Sequence, residues 1–448
     1  MNLQLLRKKR NKSLDYIFVF ILIIYAGSAT VFVRSFNSWE DIVGILFICF
    51  FAVYYAINNR IQLNKTFYLL ATAYIIYSLA LTVKFGEVHL QFFSIYLISF
   101  YITYITIVTL RYRFFVIYEE VMYYLCIISL FFWSLHQIIP EQLTSFIDSF
   151  AFSKPGSINV KSNIIFYTIN DISVVNDYVV NLGYFNLFRN SGFAWEPGAF
   201  AVFISLAIYI HFIKIKFNKL INKRFLMYLI ALITTFSTTG YGIFIVLIMF
   251  YTYNQHIKYR SIYLFVSVIM GVYVLSLSFM SDKIISLSQE NTTNQLVESS
   301  INNDTKYAPQ RITSFIIDYQ DFLNNPILGY GGHNKEMWTA KLGAEIATIS
   351  GIGKLFARFG LVGVIFFFVM LLRSSKLQSQ ILGFKGWGFP FLIIVMISIS
   401  YSLIENPLLM CFWMAALFYP YPKMNPEGTQ TYKIKRFKQK LELNKLQY

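Results

Sequence analysis

The chain is short of charge. Only 13% of its 448 residues are Asp, Glu, Lys or Arg, against 56% hydrophobic, where a soluble domain carries about a quarter charged. That deficit excludes a large soluble fold. Cysteine is scarce as well: Cys49, Cys126 and Cys411 all lie in apolar runs. They offer no disulfide framework and no metal-ligand spacing, and serve as space-filling thiols. No Gly-rich nucleotide loop, Gly-x-Ser-x-Gly elbow or His-Glu-x-x-His helix occurs, and no internal repeat. Neither long hydrophilic segment holds an Asp-x-Asp pair, so a metal-dependent nucleotide-sugar transferase would lack its donor site. This points to a reaction without metal or cofactor, on a substrate carrying its own leaving group. Period-two alternation is missing too, which leaves helices, not a barrel, to cross a bilayer.

What the chain has is a series of long apolar runs. They predict an all-α, polytopic membrane bundle of about twelve helices, at 14–33, 42–58, 66–83, 90–110, 117–138, 197–213, 225–238, 240–255, 261–280, 353–372, 387–403 and 405–420. The pair around Gly240 fits either a tight turn between two spans or one kinked helix. The net charge of +16 sits in short breaks between the runs, the pattern of topology signals and not of nucleic-acid binding. With the N-terminus in the cytoplasm, the basic breaks fall inside, among them Arg111 and Arg113, Lys214 to Arg224, and Arg373 to Lys385. Both termini are then cytoplasmic, and two spans around Gly240 are needed to keep the later clusters inside. The basic N-terminus before the first run resembles a signal peptide, but the run is long, and an uncleaved first span is expected.

The organisation that follows has six parts: membrane helices at 1–139, a first long outer loop at 140–196, central helices at 197–280, a second long outer loop at 281–352, helices at 353–420 and a basic cytoplasmic tail at 421–448. The stretch 288–304 is rich in Ser, Asn, Thr and Glu and reads as a mobile polar surface.

Candidate chemistry gathers in the two loops. The first ends in Arg189-Asn-Ser-Gly-Phe-Ala-Trp195-Glu196-Pro197-Gly198-Ala-Phe200. Pro197 suits the first turn of a helix and Glu196 the position before it, near the positive end of the dipole. A capped helix start with an arginine facing lipid phosphate accounts for the same residues. In the second loop, Ile312, Phe315, Ile316, Tyr319, Phe322 and Leu323 fall on one face of a helix, an amphipathic segment lying on the membrane or on the bundle. From Arg311 that helix advances about 18 Å at 1.5 Å per residue. The extended return from Pro326 reaches about 23 Å, enough to bring His333 back beside Arg311. Gly329, Gly331 and Gly332 allow close backbone approach to a ligand. His333 is one of only five histidines, and the amide of Asn334 follows it. Arg358 either snorkels outward or pairs with a site anion. Glu405, before Asn406-Pro407, is either a functional ionisable group at membrane depth or part of a hairpin turn.

Together these residues resemble a family. Arg189-x-x-Gly-Phe-x-x-Glu196-Pro-Gly-x-Phe before a span is similar to a motif of the bacterial polysaccharide repeat-unit polymerases (Wzy-type). So is Arg311 followed by Asn325-Pro-Ile-Leu-Gly329-x-Gly-x-His333-Asn334. Thr238-Thr-Gly240-Tyr-Gly242 resembles the turn of the wider polymerase and O-antigen ligase superfamily. The resemblance implies a GT-C-like bundle in the bacterial cytoplasmic membrane with its active site on the outer face. The substrates it implies are glycans on undecaprenyl pyrophosphate, and a chain-length regulator is an expected partner. Arg189 and Arg311 would engage the pyrophosphate. His333 would serve catalysis, with Glu196 as the alternative base, and Asn334, Arg358 and Glu405 would contact substrate. A ligase passing finished polymer to another acceptor, and a flippase or transporter, are the competing readings.

Overall fold

A computed structural model describes residues 12–27, 40–148, 152–153, 161–162, 179–181, 186–218, 220–255, 265, 309, 311–344, 346 and 348–419. The apolar runs form helices because only an intrasegment ladder satisfies every backbone group away from water. In chain order these are α1 (Lys12–Gly27), α2 (Glu40–Asn58), α3 (Lys65–Phe85), α4 (Leu90–Leu110), α5 (Arg113–Ile138) and α6 (Pro140–Asp148). After two short ladders come α7 (Pro197–Lys214), α8 (Lys223–Thr234), α9 (Thr238–Asn254), α10 (Arg311–Asn324) and α11 (Trp338–Lys341). The chain continues through α12 (Gly351–Leu382), α13 (Gly388–Ser400), α14 (Pro407–Trp413) and α15 (Ala415–Phe418). The termini follow local chemistry. Asn64 caps α3 by accepting from the Phe67 N–H at 2.9 Å, and Gly86, at φ 74°, ends it.

Among the described residues, five helices are long and apolar enough to cross a membrane: α3, α4, α5, α7 and α12. Most of the other expected spans coincide with helices that are shorter, such as α13 and the α14–α15 pair, which is interrupted at Met414. The expected span 261–280, apart from residue 265, lies outside the described residues, as do 288–304 and the tail. The Gly240 region resolves into two helices. Ser237 caps the second by accepting from the Gly240 N–H at 3.2 Å. The first long loop departs from pure helix: Phe152–Ser153 (β1) pairs with Lys161–Ser162 (β2), and Val179–Asn181 (β3) with Asn186–Phe188 (β4), both antiparallel.

Buriedness ranks the spans. In α7, 94% of the membrane-length window is buried, against 17% in α3. A helix apolar on every side belongs at the centre of a bundle, and α7 packs against α5, α8 and α9. Its two ends therefore carry whatever the bundle fixes most firmly. At one end His211 and Lys214 meet the fully buried Glu119 of α5 at 3.0 and 2.8 Å, with Arg224 of α8 at 3.0 Å. At the other end stands Glu196.

The remaining feature that positions the site is a break. α12 has 32 residues, about 48 Å at 1.5 Å per residue, well beyond the roughly 30 Å of a bilayer core. Gly360 interrupts it at φ 59°, ψ −160°. The backbone groups freed there are met by the segment after α10. Leu361 N–H donates to Pro326 O at 2.8 Å, while Tyr330 and Gly331 N–H donate to Ala357 O and Arg358 O, each at 2.9 Å. A β-carbon on Gly329 would stand 2.3 Å from the Arg358 carbonyl. Gly329 thus allows close approach of this segment to the α12 backbone, and Gly331 gives room to the Leu81 side chain, which a β-carbon there would meet at 2.7 Å.

Candidate functional site

The stretch from Arg189 to Gly198 is held in place residue by residue. Phe188 closes β4 against α5: its carbonyl accepts from Trp133 Nε1 at 2.6 Å, and its ring stacks on His136. Asn190 is fully buried, with its N–H on Thr234 O at 2.8 Å and its side-chain oxygen on the Gly192 N–H at 3.0 Å. Between these anchors, Arg189 reaches the end of α8. Its Nε donates to Thr235 O at 3.0 Å and its Nη2 to Phe236 O at 3.1 Å. A cation on helix C-terminal carbonyls is well placed against the dipole. Phe236 adopts φ 46°, a conformation that bulky residues rarely take.

Glu196 occupies the N-cap position of α7 but makes no capping hydrogen bond. Its carboxylate instead lies 3.9 Å from Arg311 Nη2. Arg311 opens α10, donates from Nε to Ser400 O at 2.9 Å and from Nη2 to the Tyr401 hydroxyl at 2.7 Å, and lies over the Tyr401 ring at 4.6 Å. Tyr401 is buried, and the charges of Glu196, Arg311 and Arg189 all converge on its hydroxyl. The Glu-Pro-Gly sequence makes this possible: a β-carbon on Gly198 would stand 1.6 Å from that hydroxyl. Tyr401 is thus the residue where the two loop motifs meet. The sequence alone does not single it out, because nothing in a run of apolar and aromatic residues marks one tyrosine.

A second polar group sits further along α12. Arg358 donates to Glu405 at 3.0 Å, with the Tyr96 and Tyr330 hydroxyls at 3.5 and 3.4 Å, and Tyr96 also bonds Glu405. Of the two readings for each residue, Arg358 pairs and does not snorkel, while Asn406 supplies the helix cap, accepting from the Leu408 N–H at 3.0 Å. Lys354, one turn before Arg358, lies within the electrostatic reach of the carboxyls of Asp318 and Glu405.

His333 stands apart from Arg311. Hydrogen bonding of residues 326–331 to the α12 break directs the return to the corner between α3 and α4. There His333 packs on Phe85 at 4.7 Å and edge-on to His89 at 5.7 Å. Reach alone had allowed a meeting with Arg311; the hydrogen bonds at Gly360 decide otherwise. Burial, then the neighbouring His89, push the His333 ring below its ordinary pKa, opposed by Glu87 and Glu336. Asn334 is exposed and starts a single 3-10 turn.

The amphipathic helix has the expected extent, and of its two faces the polar one is turned inward. Ile312 and Leu323 are 55% and 52% exposed, while Thr313, Ser314, Asp318 and Asp321 are buried. The polar stripe runs Arg311, Ser314, Asp318, Asp321 and faces α12, so the apolar face looks outward. The same helical spacing could have shown this second stripe. Burial raises both carboxyls. Asp321 is lifted to about 6 despite the Trp338 N–H, which donates to it at 2.5 Å, and Lys341. Asp318 is also raised, against the nearby Thr348 and Lys354, and neither of its oxygens completes a hydrogen bond. Among the described residues no His, Cys, Asp and Glu grouping could hold a metal ion. Comparison with family models, curated proteins and solved structures gives no match.

Proposed function

We propose that the chain is a Wzy-type polymerase, a GT-C-like bundle of about twelve spans in a bacterial cytoplasmic membrane. Both termini are cytoplasmic and the site opens on the outer face. It joins oligosaccharide repeat units carried on undecaprenyl pyrophosphate, without a metal, and a chain-length regulator is a candidate partner. The observation that carries this reading is the meeting of Arg189, Arg311 and Glu196 around Tyr401. Two cations and one carboxylate from separate loops suit an anionic leaving group and a reacting hydroxyl.

In the proposed step the acceptor hydroxyl oxygen attacks the anomeric carbon of the donor glycan with inversion. The bond from that carbon to the pyrophosphate oxygen breaks, and undecaprenyl pyrophosphate leaves with the electron pair. Arg189 and Arg311 offset the growing negative charge. The acceptor's proton passes to a carboxylate or imidazole. The resemblance favours His333 for that role; the geometry favours Glu196, which stands with the arginines while His333 does not. Asn334, Arg358 and Glu405 are proposed to contact the glycan or its carrier.

The decisive variants are Arg311→Lys, which keeps the charge but loses the planar fork, and Arg311→Ala. Both are expected to shorten surface polymer to single repeats on gels. Normal polymer length in both would remove the pyrophosphate role. A deletion strain that accumulates free lipid-linked polymer, in place of single repeats, would mark a ligase.

A further inference from the structure

From Arg311 to His333 the chain runs into the bundle and out again. α10 lies along α12 and points the same way. Ile349 N–H donates to Ser314 Oγ at 3.2 Å, and Asp318 fills the space beside Gly353. Phe322 packs on Phe356 with ring centroids 5.2 Å apart, and Leu361 N–H donates to Pro326 O at 2.8 Å. The return then climbs α3. The Tyr77 hydroxyl donates to Leu328 O at 2.7 Å, Gly331 lies against Leu81, and His333 packs on Phe85.

α3 supplies a depth scale. Its 21 residues make about 31 Å of helix at 1.5 Å per residue, the thickness of a bilayer core, so Phe85 stands at one face. Leu81 is then about 6 Å below that face and Tyr77 about 12 Å. Side chains on a helix lean toward its N-terminus, so Tyr77 meets Leu328 no nearer the face than its own level. The turn at Pro326 to Leu328 therefore sits within the depth of the spans. Irregular backbone is tolerated there only where protein covers it, and the hydrogen bonds of residues 326–331 to the α12 break supply that cover.

The outer face of α10 decides what surrounds it. Ile312, Phe315, Ile316, Tyr319 and Leu323 are exposed, and none of the exposed residues of α10 is charged. Asp318 and Asp321 turn inward, where Asp318 lies within electrostatic reach of Lys354 and Arg358. Water would select the opposite rotation. Hydrocarbon selects this one, because charges at membrane depth face the interior and pair with one another. The exposed stripe is also continuous with a span. It passes through Ile327, whose carbonyl accepts from Val362 N–H at 3.3 Å, onto the exposed Leu361, Val362 and Ile365 of the membrane-length α12. Whatever bathes α12 at that level bathes α10 too.

We infer that residues 311–333 form a re-entrant hairpin. α10 dips into one leaflet beside α12 with its apolar face on phospholipid acyl chains, and the extended return regains the surface at His333. Part of the second long loop is thereby inside the membrane. The hairpin's place depends on α3 and α12 crossing the bilayer, not on the polymerase reaction.

The test uses the full chain in phosphatidylcholine nanodiscs. Cys49→Ala removes the half-buried native thiol, while Cys126 and Cys411 are buried. Nitroxides are attached singly through Ile312→Cys, Ile316→Cys, Leu323→Cys and Ile327→Cys. Collision with oxygen, which partitions into hydrocarbon, is compared with collision with a water-soluble nickel chelate. The ratio of oxygen to nickel relaxation is expected to rise in that order. At Ile327 it should approach the value for Ile76→Cys, on the exposed side of α3. Asn334→Cys, exposed beyond the return, is expected to give the reverse, nickel over oxygen. A nickel response at Leu323 and Ile327 equal to that at Asn334 overturns the proposal by placing the hairpin in water. Closure to both reagents overturns it as well, by placing a second copy or another protein on the face. The unmodified chain gives an independent reading that needs no variant to fold. Phosphatidylcholine with a diazirine on its acyl chain is expected to label Phe315, Tyr319 and Leu323, and label on α3 without label on α10 overturns the hairpin.

Discussion

Tyr401 and Gly198 form a matched pair. The hydroxyl of Tyr401 accepts from Arg311 at 2.7 Å, and a hydrogen bond to a charged group contributes about 1.5–3 kcal/mol. Tyr401→Phe keeps the ring beneath the guanidinium and removes the hydroxyl's bonds to Arg311 and Glu196. Its expected effect is a partial loss of polymerisation with the protein still folded, read from polymer length and from thermal unfolding in detergent. Gly198→Ala is expected to do more, because its new methyl would meet the hydroxyl at 1.6 Å. Combining the two changes removes the colliding oxygen, so the double variant should melt higher than Gly198→Ala alone. A simple sum of the two losses would show that the hydroxyl is not what Gly198 accommodates.

At the scale of elements, the broken α12 and the helix packed on it carry two separable effects. Gly360 and Gly383 both have positive φ, but only Gly360 has a carbonyl, that of Ile327, 2.4 Å from its would-be β-carbon; Gly383 has nothing within 4 Å. Gly383→Ala should cost about 1 kcal/mol from backbone conformation alone. Gly360→Ala should cost more, on the order of 3 kcal/mol, and equal melting losses would refute the fit described at the break. The polar stripe of α10 sets a pH dependence. A carboxyl with a raised folded pKa holds its proton more tightly in the folded state. Its stabilising contribution is complete below the unfolded value near 4 and is lost as pH rises through the folded value, about 6 for Asp321. The melting midpoint should therefore fall across this range. Asp321→Asn, whose amide oxygen still accepts from the Trp338 N–H, should flatten the fall; an unchanged slope would show that Asp321 does not titrate there.

For the whole molecule, the question is which end faces out. The cluster around Glu119 and the cluster around Tyr401 occupy opposite ends of α7, and the basic breaks lie with Glu119. Asn334 is exposed at the far end, whereas Cys126 and Cys411 are buried and Cys49 is half-buried. A cysteine at position 334 is expected to react with a membrane-impermeant maleimide in intact cells. Protection until the cells are broken would invert the proposed orientation.

Helices and their rough limits were legible in the chain because apolar length and capping residues act locally; Asn64, Ser237, Pro197 and Gly86 each do where they stand what their chemistry dictates. The meeting of the Arg189 and Arg311 motifs was suggested by resemblance, but its means was not legible, since Tyr401 lies about ninety residues beyond Arg311 in a run that reads as ordinary core. The position of His333 was decided only in three dimensions. Chain length sets how far a loop can reach, while the backbone hydrogen bonds that repair the α12 break choose where it goes. The direction of α10 was settled in the same way: the apolar stripe was plain, but which stripe turns inward depends on the polar face of α12 that receives it.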